Sequence, residues 1–128
     1  MAVAKTQLKC LVADDEPQIG ALLRDVLVQQ GYQTDVVTDG EAASRKLADG
    51  GYTLLVSDVM MPHKTGVELV HEIRARGLTL PVILMSSHLS EEILVSCSAV
   101  ERLAFLQKPF ALSDLRHAIE RAAASVRC

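Results

Sequence analysis

The 128-residue sequence contains no tryptophan, and only two tyrosines and two phenylalanines supply its aromatic side chains. Any hydrophobic core must therefore be aliphatic. Hydrophobic residues make up 49% of the chain and charged residues 23%, a composition typical of a folded domain and not of a disordered one. Because this length corresponds to about one ordinary domain, we expect a single domain over residues 1–128, with its core at about 8–124.

Several other signals are missing. Cys10, Cys97 and Cys128 show no CxxC or metal-finger spacing, so nothing indicates a cysteine-based metal site. No run of about 18 apolar residues occurs, and the net charge of −3 argues against a nucleic-acid-binding surface. We therefore expect a cytoplasmic protein without direct nucleic-acid or membrane contact. The four scattered histidines are predicted at the surface: His63, His71, His88 and His117.

Strand-like and helix-like segments alternate along the chain, giving five βα units. Strands are predicted at residues 8–13, 33–37, 52–57, 81–86 and 104–107, and helices after Pro17, at 41–48, after Gly66, at 91–100 and from about 112. Apolar residues at helical spacing support the first helix (Ile19, Leu22, Leu23, Val26, Leu27), the fourth (Ile93, Leu94, Cys97, Val100) and the last (Leu115, Ala118, Ile119, Ala122). Pro17 suits the first turn of its helix, and Gly31 suits the end.

The first, third and fourth strands are apolar on both faces, as in parallel strands buried between two helix layers. This pattern predicts a doubly wound α/β sheet, in which the functional crevice lies at the carboxyl ends of the strands. Asp14-Asp15, Asp58, Ser86 and Lys108 all fall at such ends. We therefore expect these side chains to meet at one rim of the sheet.

Three converging carboxylates repel one another unless a cation offsets their charge. Carboxylate and carbonyl oxygens suit Mg²⁺, with Mn²⁺ as a second possibility. A carboxylate can also attack phosphorus, while a metal ion and an ammonium group neutralise the phosphoryl oxygens. With Lys108 as the ammonium and Ser86 as a hydroxyl, the pattern predicts a phosphorylation site.

Each residue alone has a simpler interpretation. Asp14-Asp15 and Asp58 could cap a helix or a turn, Ser86 could be an ordinary loop hydroxyl, and Lys108 could be solvated. It is their occurrence together, in order along one predicted rim, that favours a site.

The ordered set closely resembles the receiver domains of two-component response regulators, the CheY-like superfamily. The matching motifs are Asp14-Asp15, Asp58-x-x-Met61-Pro62 with Gly66, Ser86, and Lys108-Pro109-Phe110. The resemblance covers nearly the whole chain. It implies a (βα)5 flavodoxin-like three-layer sandwich whose five-stranded parallel sheet has the order 2-1-3-4-5.

Site roles follow from the resemblance residue by residue. It implies Asp58 as the phospho-acceptor, Asp15 as a direct Mg²⁺ ligand, Asp14 acting mainly through water, and Met60 contributing its backbone carbonyl. Ser86 would bond the phosphoryl group, Lys108 would pair with it, and the Lys108–Pro109 peptide would be cis.

Phe105 occupies the position of the aromatic switch residue, which moves inward when the Ser86 hydroxyl moves to the phosphoryl group. By its residue type alone, Phe105 would simply belong to the core.

The resemblance also implies partners: a histidine kinase or a histidine phosphotransfer protein as donor, and a downstream protein at the face formed by helix 4, strand 5 and helix 5. Either a monomer or a phosphorylation-promoted dimer is expected, without enzymatic turnover.

The sequence departs from the family pattern at two places. His63-Lys64-Thr65 replaces an apolar residue followed by Asp, which makes that loop unusually basic and leaves its contact with a partner open. Residues 101–104 lack the usual turn, so helix 4 is expected to run longer or to end differently.

Two other function classes remain open. An Asp-nucleophile phosphohydrolase commonly has a second acid, the general acid, two residues after the nucleophile, where this chain has Met60; this argues against turnover. A receiver-like module acting by interaction alone, without phosphorylation, is the stronger rival. Only residues 125–128 follow the last predicted helix, so we expect either a stand-alone regulator or a receiver excised from a larger regulator or hybrid kinase.

Overall fold

A computed structural model describes residues 7–127, with side chains to residue 124. Its strands are β1 (Lys9–Ala13), β2 (Gln33–Val37), β3 (Leu54–Asp58), β4 (Val82–Ser86) and β5 (Leu103–Gln107). Its helices are α1 (Pro17–Gln29), α2 (Gly40–Ala48), α3 (Gly66–Ala75), α4 (Glu91–Ser96) and α5 (Leu112–Arg127). All strand pairs are parallel, in the order β2-β1-β3-β4-β5. The predicted fold class and sheet order are confirmed.

Two hydrophobic clusters lie on the two faces of the sheet, because successive side chains of a strand point to opposite faces. Cys10 and Val12 of β1 join the cluster that contains residues of α1 and α5. Leu11 and Ala13 join the other, which contains residues of α2 and α3. The central strands β1, β3 and β4 are thus covered on both sides, and their carboxyl ends are held at one rim.

Helix α1 begins at Pro17, as predicted, and its cap residue Gln30 is followed by Gly31 at φ +94°. Leu22 of the predicted apolar stripe is nevertheless exposed. In α5 the four residues predicted to face inward are all buried: Leu115, Ala118, Ile119 and Ala122.

The prediction for α4 was wrong in two respects. The helix ends at Ser96 and not near Val100, and Leu94 is 43% exposed. The Ser96 hydroxyl donates to the backbone oxygen of Ile93 at 2.8 Å, a local bond that competes with helix continuation. Cys97 is buried all the same, because the turn after α4 still packs it against the core.

The remaining surface predictions can be compared directly. All four histidines are exposed, as expected. Cys10 and Cys97 are buried free thiols, whereas Cys128 lies outside the described residues. Within residues 7–127, none of the helices has the length and apolar character needed to cross a membrane.

Candidate functional site

Three predicted site residues meet at the carboxyl rim of the sheet. Asp14 directly follows β1 and is 0% exposed, and Asp58 ends β3 and is 7% exposed. Lys108 directly follows β5, where its backbone N–H donates to the oxygen of Ser86 at 2.8 Å. Parallel strands therefore bring together residues that are 94 positions apart in the chain.

The Lys108 ammonium lies between the carboxylates. Its Nζ is 3.1 Å from Asp58 Oδ2, 3.3 Å from Asp14 Oδ2 and 4.0 Å from Glu16 Oε1. Its side chain is 17% exposed, so these contacts are only weakly screened by water. The ammonium thus acts as the counter-charge of the acid group.

Among the described residues, Asp14, Glu16 and Asp58 have carboxylate oxygens within 4.8 Å of one another and can hold a metal ion. Such an all-oxygen set fits a hard divalent cation. Sequence reasoning missed Glu16, although it directly follows the acid pair. Its backbone N–H donates to Asp14 Oδ1 at 2.9 Å, which fixes the turn that brings it to the site.

Two residues predicted as metal ligands are placed differently from these three. Asp15 is exposed and lies outside the carboxylate group. Met60 has a side chain that is 68% exposed, and its backbone acts to lower the pKa of the Asp58 carboxyl. Its carbonyl role stays a prediction.

Charge and burial oppose each other at the site. Burial is the main cause that raises the pKa of Asp58, and the Asp14 charge adds to it, while the hydrogen bond from Lys108 acts in the opposite direction. Burial alone would lower the pKa of Lys108, but Asp58 and Asp14 outweigh it and raise that pKa. The site therefore has more negative than positive charge, so binding of an added cation is favourable.

Ser86 ends β4 and is buried. Its hydroxyl donates to the backbone oxygen of His88 at 2.9 Å and accepts from the His88 N–H at 3.0 Å. In this structure the hydroxyl is therefore engaged within its own loop.

Phe105 is half-buried opposite Leu84 and packs against the cluster under α2 and α3. The peptide between Lys108 and Pro109 is cis.

Helix α3 begins immediately behind the end of β3. The Gly66 N–H donates to the oxygen of Val59 at 2.8 Å. A methyl group at Gly66 would overlap the carbonyl oxygen of Asp58 and come within 3.1 Å of the Leu84 side chain. Glycine is therefore required by close packing, and Thr65 caps the helix through a capping box with Glu68.

Comparisons with known proteins agree on one family. The family model described as response regulator receiver domain matches residues 10–120. The transcriptional regulatory protein RprY of Bacteroides fragilis is 32% identical over 121 residues, covering 94% of this chain and 51% of that protein. The transcriptional regulatory protein TctD of Salmonella typhimurium is 37% identical over 108 residues, covering 84% of this chain and 48% of that protein. The chain thus spans about half the length of these relatives.

Solved structures give the same answer. The receiver domain of the Francisella response regulator 1452 has a TM-score of 0.84 and 27% identity, covering 94% of this chain and 99% of that one. The response regulator protein TrrA from Thermotoga maritima, in complex with Mg(2+)-BeF, has a TM-score of 0.80 and 30% identity, covering 91% of this chain and 99% of that one. By sequence and by fold, the chain belongs to the response regulator receiver domain family of two-component systems.

Proposed function

We propose that this receiver domain accepts a phosphoryl group on Asp58 in a Mg²⁺-dependent reaction, with a histidine kinase or a histidine phosphotransfer protein as donor. The supporting observation is the Lys108 ammonium, 3.1 Å from a buried carboxylate at the end of β3. A structural ion pair needs only one acid. Here a single ammonium contacts three acids at a strand rim, an arrangement suited to binding a further cation and a dianionic phosphoryl group.

In this reaction an Asp58 carboxylate oxygen forms a bond to phosphorus as the donor's P–N bond breaks, and the imidazole nitrogen leaves with its electron pair and takes up a proton. The product is an acyl phosphate. Lys108 would move its hydrogen bond from the carboxylate to a phosphoryl oxygen, where the same positive charge stabilises the added negative charge.

The carboxylates of Asp14, Glu16 and Asp58 would hold Mg²⁺ or Mn²⁺, and the family pattern adds Asp15 and the Met60 carbonyl. When bound, the ion neutralises the charge that builds up on the phosphoryl oxygens. The related TrrA, whose structure is a complex with Mg(2+)-BeF, supports this assignment.

Phosphorylation would be read out by a change of packing. Breaking the two Ser86–His88 bonds frees the Ser86 hydroxyl for the phosphoryl group, and Phe105 would follow inward, altering the face formed by α4, β5 and α5. We propose that a downstream protein or an output domain binds this face, in the cytoplasm, with the receiver as a monomer or a phosphorylation-promoted dimer. Such a domain is a switch and not a turnover enzyme.

The proposal is tested by beryllofluoride, which imitates the aspartyl phosphate. We expect a protein-bound ¹⁹F NMR signal with wild-type protein, BeF₃⁻ and Mg²⁺, and no such signal in EDTA or with Asp58→Asn. A folded wild-type protein without that signal, even in Mg²⁺, would instead favour the phosphorylation-independent interaction module.

A further inference from the structure

A polar network lies behind the phospho-acceptor, between α2, α3 and the loop of residues 59–65. The Lys64 side chain is only 18% exposed. Its ammonium contacts Glu72 Oε1 of α3 and lies 3.6 Å from Glu41 Oε1 of α2. The loop that the sequence predicted to be basic is therefore neutralised within the domain, and Lys64 is not free to meet a partner.

Glu72 joins the three elements of this network. Its second oxygen, Oε2, accepts a hydrogen bond from the Ser44 hydroxyl of α2 and lies 2.7 Å from Arg76 Nη2. Arg76 also donates to the Ser44 hydroxyl at 3.1 Å. Burial opposes the charged form of Glu72, but the hydrogen bonds from Lys64 and Ser44 outweigh it and lower the pKa of the carboxyl.

The backbone of the same loop is held from the other side by the start of α2. The Gly40 N–H points to the oxygen of Pro62 at 3.4 Å. A methyl group at Gly40 would overlap the carbonyl oxygen of Lys64. Between these contacts His63 adopts φ +70°, an uncommon conformation for a residue other than glycine. The side-chain ion pair thus fixes a loop that is tightly packed and locally strained.

This loop leads directly to the acceptor. The backbone of Met60, four residues before Lys64, acts to lower the pKa of the Asp58 carboxyl. The end of the loop is tied back to its beginning, next to Asp58, by the bond from the Gly66 N–H to the Val59 oxygen. A shift of the loop at Lys64 is therefore transmitted to the backbone around Asp58.

We propose that Lys64 and Glu72 are positioning residues, whose ion pair holds the β3–α3 loop in the geometry that binds the divalent cation and admits the phosphoryl group. The inference rests on the proposed function of the rim, and it adds an ion pair that acts on the rim from the opposite side of the loop. Removing one member of this partly buried pair leaves Lys64 with Glu41, or Glu72 with Arg76, as its remaining counter-charge. Replacing both members removes one charge of each sign. The double variant should therefore lose less stability than the single variants do, although all three lose the ion pair.

The experiment compares Glu72→Gln, Lys64→Met and the double variant with the wild type, and uses Lys46→Met, which removes an exposed lysine of α2, as the matched control. Mg²⁺ affinity is measured by calorimetry, phosphorylation by acetyl phosphate is followed over a range of Mg²⁺ concentrations, and stability is measured by urea unfolding. We expect Glu72→Gln to weaken Mg²⁺ binding by about five-fold, the size of a small coupling between sites. Its phosphorylation rate should fall at low Mg²⁺ and recover at saturating Mg²⁺.

Lys64→Arg should bind Mg²⁺ nearly as the wild type does, as should Lys46→Met. The double variant also lacks the ion pair, so its Mg²⁺ affinity should be weakened as in the single variants. Wild-type Mg²⁺ affinity in both Glu72→Gln and Lys64→Met, with or without loss of stability, would overturn the inference and leave the network a purely structural role. Should Glu72→Gln fail to fold, Lys64→Met decides alone. A wild-type protein that binds Mg²⁺ but takes up no phosphoryl group would refute the proposed function, and the affinity comparison would still decide the role of this pair.

Discussion

Replacing Lys108 by methionine removes the only ammonium within reach of Asp14 and Asp58 among the described residues, while keeping most of the side-chain volume. At an effective dielectric constant of about 20, each contact, at 3.1 Å and 3.3 Å, corresponds to a gross attraction of about 5 kcal/mol. Desolvation cancels much of this, and removing one partner of a buried pair costs about 3–5 kcal/mol. Because Lys108 is 17% exposed, we expect the lower end, about 3 kcal/mol in the free energy of unfolding at pH 7.

The assay is urea unfolding followed by far-ultraviolet circular dichroism, once in EDTA and once in Mg²⁺. Lys108→Met should be destabilised in EDTA and should gain more stability from Mg²⁺ than the wild type does, since the divalent ion replaces the missing positive charge. Lys108→Arg keeps the charge and serves as the control. Equal stability of Lys108→Met and the wild type in EDTA, or an equal gain from Mg²⁺, would refute the electrostatic account of the site.

Three further predictions follow from the same geometry. Gly66→Ala should lose about 1–3 kcal/mol in the free energy of unfolding measured in urea, the usual cost of overpacking. It should also be phosphorylated more slowly, because the added methyl displaces the Asp58 backbone. An unfolding curve equal to that of the wild type would contradict the close contact. Because folding lowers the pKa of Glu72, its ionised carboxylate stabilises the fold above the ordinary pKa of 4.5, and this contribution is lost as the pH falls below that value. The difference in unfolding free energy between the wild type and Glu72→Gln should therefore become smaller below pH 4.5. A difference that stays constant with pH in unfolding titrations would count against the pairing. Ser86→Ala removes the two hydrogen bonds within the loop and should lose about 1 kcal/mol in the free energy of unfolding. It should also reduce the NMR chemical-shift changes that BeF₃⁻ binding causes in α4, β5 and α5. Shift changes as large as those of the wild type would exclude the switch role of Ser86.

Four of the five strands were predictable as short apolar runs bounded by polar or turn residues, whereas β2 is mostly polar. The observed ends of all five strands differ from the predicted ones by no more than two residues. Helix α4 was harder. Apolar spacing at Cys97 and Val100 predicts a helix, yet a turn buries Cys97 equally well. Periodicity records which residues face the core and does not distinguish these two backbones.

The rim itself was predictable because parallel strands all end on the same side, which brings Asp14, Asp58 and Lys108 together. The direction of side chains in loops was not. Glu16 joins the acid group because of a turn closed by the Asp14 side chain, and Lys64 reaches Glu72 from a loop with a left-handed residue at His63. Neither turn has a periodic pattern, so only the structure reveals these partners.

The most direct test of the central claim is the intact mass of the protein after incubation with acetyl phosphate and Mg²⁺, followed by peptide mapping of the adduct. The account predicts a single phosphoryl group on Asp58 in the wild type, and none in EDTA or in folded Asp58→Asn. A phosphoryl adduct on Asp58→Asn equal to that of the wild type, or no adduct on folded wild type with either acetyl phosphate or a phosphohistidine donor, would contradict it.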